Sequence, residues 1–106
     1  MTITEKNSNN FAIISLKGIL NASSVSQLKS HIEQSPESQS LVINLEQVDF
    51  LDSSGLGALV GIARKKKAAG ALFKLANLNE RVKKVFELTN ASTLFDIYDD
   101  VATAVV

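Results

Sequence analysis

The polar–apolar pattern of this chain changes period several times, and each change marks an element. Thr2-Ile3-Thr4-Glu5-Lys6 alternates and carries β-branched residues, as an edge strand does. Asn7-Ser8-Asn9-Asn10 is turn chemistry, and Phe11-Ala12-Ile13-Ile14-Ser15-Leu16 reads as a strand buried on both faces. The pair predicts a hairpin that Gly18 closes. From Ala22 to about Gln34 the period lengthens: Val25, Leu28 and Ile32 form one stripe, with Asn21 the expected N-cap. Pro36, among Ser35, Glu37 and Ser38, ends that helix in a solvated loop.

Leu41-Val42-Ile43-Asn44-Leu45 is a nearly continuous apolar strand, the pattern of a sheet covered by helices. Leu56, Leu59, Val60 and Ala63 then mark one face of a helix from Ser53 to about Ala69, which Gly70 stops. Ala71 to Ala76 is a further strand, so strand, helix and strand make a βαβ unit of right-handed crossover. Asn77 and Asn79 precede a third helix with Val82, Val85, Phe86 and Thr89 on one side and Arg81, Lys83, Lys84 and Glu87 solvated. Leu94 to Tyr98 reads as a short extended piece, and Asp99 as the cap of a final short helix through Val101 and Val105. The expected architecture is α/β: a small mixed sheet of four to five strands with about four helices packed on it.

Composition narrows the function more than the fold. The 106 residues are near the commonest size of one domain, with 45% hydrophobic and 21% charged residues. Eleven basic residues balance eleven acidic ones, so no field draws the chain to nucleic acid or anionic lipid. The absence of cysteine removes disulfides and the usual zinc spacings. No apolar run approaches membrane-spanning length, and the first residues lack a secretory pattern, so a cytoplasmic location without membrane insertion is expected.

The chemistry concentrates where the apolar strand runs into the second helix. Asp52, Ser53 and Ser54 stand where side-chain oxygens cap free backbone N–H groups, at the positive end of the helix. Gly55 and Gly57 are expected to leave that first turn open to a close approach from outside. Asp52 reads either as a carboxylate orienting the serine hydroxyl or as a second cap. Ser53, at the loop boundary, is expected to project outward, with Ser54 more shielded. A plain cap and a reactive hydroxyl both remain open on these residues alone. A hydrolase is not indicated, because Gly-x-Ser-x-Gly is missing and His31 lies on another helix, at the border of its apolar stripe. Nor is a nucleotide cradle: Val60 stands where a third glycine would be needed, and no Gly-Lys-Ser/Thr follows. Arg64-Lys65-Lys66-Lys67 reads as a solvated helix end, with contact to an acidic partner surface the second reading.

The run Phe50-Leu51-Asp52-Ser53-Ser54-Gly55-Leu56-Gly57 resembles the phosphorylation loop of bacterial anti-sigma factor antagonists, the STAS-domain family. Gly18-Ile19-Leu20-Asn21 is similar to that family's Gly-x-Leu-Asp, with Asn21 where aspartate is usual. The likeness covers nearly the whole chain and implies a single STAS-like domain over residues 1–106. It implies Ser53 as phosphoacceptor and a partner surface of Asn21, Asp52, Ser53, Ser54, Gly55, Leu56 and Gly57. The implied partners are an anti-sigma factor, often itself a serine kinase, and a metal-dependent serine phosphatase. No cofactor and no catalytic activity of its own are implied. The alternative is a STAS-like ligand-binding module or an accessory subunit of a membrane-transport complex. If the strands before Asn21 and Ser53 are parallel neighbours, those two residues share one edge of the sheet.

Overall fold

β1 (Thr2–Ser8) and β2 (Phe11–Leu20) form the expected antiparallel hairpin. Asn9 and Asn10 turn it with φ of 50° and 69°, the left-handed pair of a type I′ turn, which asparagine tolerates. There follow α1 (Val25–Glu33), β3 (Ser40–Leu51), α2 (Ser53–Ala68), β4 (Phe73–Ala76) and α3 (Glu80–Thr89). A 3-10 turn at Ala91–Leu94, β5 (Asp96–Tyr98) and α4 (Val101–Ala104) complete the chain. This computed structural model describes every residue from Met1 to Val106. The five strands lie in the order β1-β2-β3-β4-β5, and every pairing after the hairpin is parallel.

Alternation decides what each strand buries. Ala12, Ile14 and Leu16 of β2 and Leu41, Ile43 and Leu45 of β3 meet Leu28, Ile32, Leu59, Ile62, Val82 and Phe86 of the three longer helices. On the other face Phe11, Ile13, Val42 and Ala76 close against Ala104 and Val105. Burial on both sides is why β2 and β3 read as continuous apolar runs. Lys74 is buried beneath α4, where its Nζ donates to the Ala104 carbonyl at 2.8 Å. The same ammonium lies 4.8 and 4.7 Å from the ring centroids of Phe11 and Tyr98, so its charge is solvated by a carbonyl and two π faces.

Several boundaries differ from the sequence expectation, each for a local reason. Gly18 does not close β2. It sits within the strand at φ 110°, between two register shifts, and β2 continues to Leu20. β3 likewise runs on from Leu45 to Leu51; its second half carries Glu46, Gln47, Asp49 and Phe50 exposed and so lacks an apolar signature. Asn21 is not the cap of α1. Its Oδ1 accepts from Ser23 N at 3.0 Å, an Asx turn that delays the helix until Val25. β4 begins at Phe73 rather than Ala71, and Leu94 belongs to the 3-10 turn rather than to β5. Within the basic run, Lys66 is buried while Arg64, Lys65 and Lys67 are exposed. Its Nζ donates to the carbonyls of Pro36 and Glu37 at 3.3 and 3.2 Å. Burial lowers the Lys66 pKa, and nearby Glu37 partly opposes that.

Asp100, not Asp99, caps α4, its Oδ1 accepting from Thr103 N at 2.8 Å. Hydrogen bonds from the Thr103 backbone and hydroxyl hold this carboxyl below its ordinary value of 3.8. A depressed folded-state pKa contributes stability above the unfolded value and loses it as pH falls through the folded one. The Thr103 amide resonance is therefore expected to hold its position through neutral pH and to move only below about pH 4, as the cap is protonated. An Asp100→Asn variant should flatten that titration.

Candidate functional site

β4 pairs with β3 only from Leu41 to Asn44 and β1 pairs with β2 only up to Lys17, beyond which β2 and β3 continue as a two-stranded ribbon. Its last rungs are Ile19 opposite Phe50 and Leu20 opposite Leu51. One residue beyond, Asp52 N donates to the Leu20 carbonyl at 3.3 Å. Asn21 and the Asp52–Ser53 pair therefore leave the sheet side by side, at one edge. Asn79 holds the outer half of β3 in place: its Nδ2 donates to the carbonyls of Leu45, Glu46 and Val48 at 3.3, 3.1 and 2.7 Å, and its Oδ1 accepts from Val82 N at 3.0 Å.

The start of α2 is built by its cap. Asp52 is extended, at φ −102° and ψ −173°, and its Oδ1 accepts from Gly55 N at 2.9 Å. Its carbonyl takes Leu56 N, also at 2.9 Å. Of the two readings of Asp52, the structure shows the cap. Ser53 and Ser54 occupy the first two helical positions, where backbone N–H groups lack intrahelical acceptors. Both serines are exposed, so the expected shielding of Ser54 is not found, and exposure does not choose between them.

Two glycines with one expected role have different ones. A Cβ on Gly55 would lie 2.4 Å from the Leu20 carbonyl oxygen and 3.0 Å from Leu20 Cγ. Gly55 is buried, and its missing side chain admits the neighbouring strand end rather than an outside group. Gly57 is exposed, with nothing within 4 Å of its would-be Cβ, so there the helix surface is open as expected. Leu56 is half-buried against the core.

The corner that carries Asn21 is rigid. Ser24 is buried, and its Oγ accepts from Asn21 N at 3.0 Å and donates to the Ile19 carbonyl at 2.7 Å. The flanking rung presents Ile19 and Phe50, 47% and 53% exposed, as an apolar pair at the same end of the sheet. Sequence reasoning did not assign a role to this pair. Its only signal is two apolar residues in polar surroundings, and pairing across thirty-odd residues is what makes them neighbours. No helix is long and apolar enough to cross a membrane. No group of His, Cys, Asp and Glu stands together as a metal site.

Comparison with known proteins supplies the context for this geometry. Residues 2–104 match the STAS domain family model. The anti-sigma-B factor antagonist of Bacillus subtilis (strain 168) is 40% identical over 57 residues, 54% of this chain and 52% of that protein. The anti-sigma-B factor antagonist of Listeria monocytogenes is 30% identical over 86 residues, 79% of this chain and 75% of that protein. For the first of these relatives the matched stretch spans about half the relative's length. A crystal structure from Thermotoga maritima, of a protein described as a candidate anti-sigma factor antagonist, superposes with a TM-score of 0.87 at 26% identity. That superposition covers 96% of this chain and 90% of the other.

Proposed function

This chain belongs to the STAS-domain family, and on that premise we propose that it is a phosphorylation-controlled antagonist of an anti-sigma factor, with Ser53 as the phosphoacceptor. The unphosphorylated form binds the anti-sigma factor and so frees a sigma factor. The anti-sigma factor, acting as a serine kinase with ATP, phosphorylates Ser53 and is released, and a serine phosphatase resets the chain. The observation that carries this reading is the shared edge. The Leu20–Leu51 rung brings Asn21 and exposed Ser53 to the same end of the sheet, with the exposed Ile19–Phe50 pair one rung before them, and this supports the reading. The relatives named as anti-sigma-B factor antagonists favour the same class of partner.

The physical step is a change of binding rather than of folding. A phosphoryl group adds about −1.5 to −2 charge at neutral pH. At the first helical position it meets free N–H groups and the positive end of the α2 dipole, which tolerate it. In an interface closed over Ile19 and Phe50 the same group must be desolvated beside the Asp52 carboxylate, and that opposes association. Gly55 and Leu56 serve from beneath this surface, and Ser54 and Gly57 at its rim. The test is gel filtration of the chain with its cognate anti-sigma factor. A complex is expected without ATP, dissolving on ATP addition as intact mass shows one added phosphoryl group. Failure of the unphosphorylated chain to form the complex would overturn the reading.

Asn21→Asp is expected to change the phosphorylation rate or partner affinity by roughly three- to tenfold, the effect of one charge at an interface rim. The melting temperature should stay nearly constant, because a carboxylate oxygen can still accept from Ser23 N. Kinase assays alongside a thermal melt check both halves. Unaltered kinetics would remove Asn21 from the partner surface.

A further inference from the structure

A second surface lies at the far end of α2, away from the serines. The outer side of the helix, through Val60, Ala63, Arg64 and Lys67, forms one wall of a groove of about 460 Å³. The opposite wall is the start of β4 and the 3-10 turn, where Leu72 and Leu94 stand 50% and 59% exposed. The floor is stiff: Phe95 packs on Phe86 and Phe73 with ring centroids 5.6 and 6.3 Å apart. Two half-exposed leucines on one wall of a mainly apolar groove are unusual for a surface unless something covers them. The charged rim says what kind of group would. Arg64 and Lys67 on α2 outnumber the single carboxylate, Asp96, on the other side.

We propose that this groove docks an acidic amphipathic helix of a partner protein, leucine-type side chains down and carboxylates toward Arg64 and Lys67. Arg64 lies eleven residues after Ser53, about 16 Å along the axis at 1.5 Å per residue. That exceeds the Debye length of about 8 Å at physiological salt, so a charge at Ser53 is screened from the groove. The groove therefore holds its occupant in both states of the serine, unlike the surface around Ile19 and Phe50. It also gives exposed residues of the Arg64–Lys67 run a role beyond complementing the helix dipole.

The experiment uses the full chain and two designed helical peptides. Both carry leucines at i, i+3, i+4 and i+7, with glutamates elsewhere in one and lysines elsewhere in the other. In a titration followed by amide NMR, the glutamate peptide is expected to shift Ala63, Leu72, Leu94 and Phe95 saturably. The lysine peptide should bind at least about tenfold more weakly. Arg64→Glu should weaken the glutamate peptide by a similar factor, and Leu94→Ser likewise, with unchanged thermal melts because both side chains are exposed. Ser53→Asp should leave its affinity within about twofold. Equal affinity for the two peptides, the absence of saturable shifts at the groove, or loss of binding in Ser53→Asp would each overturn the proposal. So would concentration-dependent shifts of the same amides without peptide, which would assign the groove to a second copy of the chain. A failed anti-sigma factor complex would leave this result standing, since none of its readouts involves that partner.

Discussion

Ser53→Ala is expected to abolish phosphate uptake and to leave a complex with the anti-sigma factor that ATP no longer dissolves. The hydroxyl is the only group removed, and it projects from the first helical position into solvent. The helix start does not depend on it, because the Asp52 carboxylate caps Gly55 N and the Asp52 carbonyl accepts Leu56 N. A stability change below about 1 kcal/mol should follow, within the range of an exposed position. Ser53→Asp should weaken the complex, though less than phosphorylation does, because it has less charge and fewer acceptor oxygens. For the phosphorylated chain, an uncompensated charge desolvated in the interface costs several kcal/mol, an affinity loss of about 100-fold or more. Ser54→Ala should retain most phosphate uptake. Phosphopeptide mapping with the cognate kinase decides between the two serines, and phosphate on Ser54 alone would transfer the switch to that residue.

The largest stability effect is expected at Gly55, and its sign is opposite to that at Gly57. An alanine Cβ at position 55 would stand 2.4 Å from the Leu20 carbonyl oxygen and 3.1 Å from its carbon, both backbone atoms held by the β2–β3 ribbon. Something must shift, and overpacking of this kind costs about 1–3 kcal/mol. The better helix propensity of alanine returns at most about 1 kcal/mol. A net loss of about 1–2 kcal/mol should lower the melting temperature by about 4–10 °C. The displaced contact is also the one that brings Asn21 to Asp52, so partner affinity should fall with it. At Gly57 the added Cβ meets nothing within 4 Å, and the propensity gain stands alone. Gly57→Ala should raise the melting temperature by a few degrees, about 0.5–1 kcal/mol. Paired melts of the two variants check this directly, and equal responses would show that the helix start can slide away from Leu20.

Much of the fold was legible in the residues because its causes are local. The hairpin turn needs left-handed backbone at two successive positions, and Asn9-Asn10 supplies it. β2 and the first half of β3 are apolar on both faces because helices cover both faces. α3 begins where Asn79 can accept from Val82 N, a cap written in the sequence. Where causes were not local, the reading fell short. The outer half of β3 has four of its six residues, Glu46 to Leu51, in water, and its strand character comes from β2 rather than from its own pattern. Asn21 has the side chain of a helix cap, but its Oδ1 is taken by Ser23 N in an Asx turn, while Ser24 bonds the Ile19 carbonyl, and the helix starts only at Val25.

By itself, the sequence determined the α/β class, the order of elements and the Asp52–Gly57 motif, including the capping chemistry that starts α2. Turn propensity, burial period and caps act within a few residues, so they survive in a one-dimensional text. Tertiary structure alone decided that Asn21 stands beside the serines, that Ile19 and Phe50 form one apolar pair, and that Gly55 is reserved for the Leu20 carbonyl. Each of these depends on the parallel register of β2 against β3. That register is settled by burial and bulges across some thirty residues, and no single segment contains it.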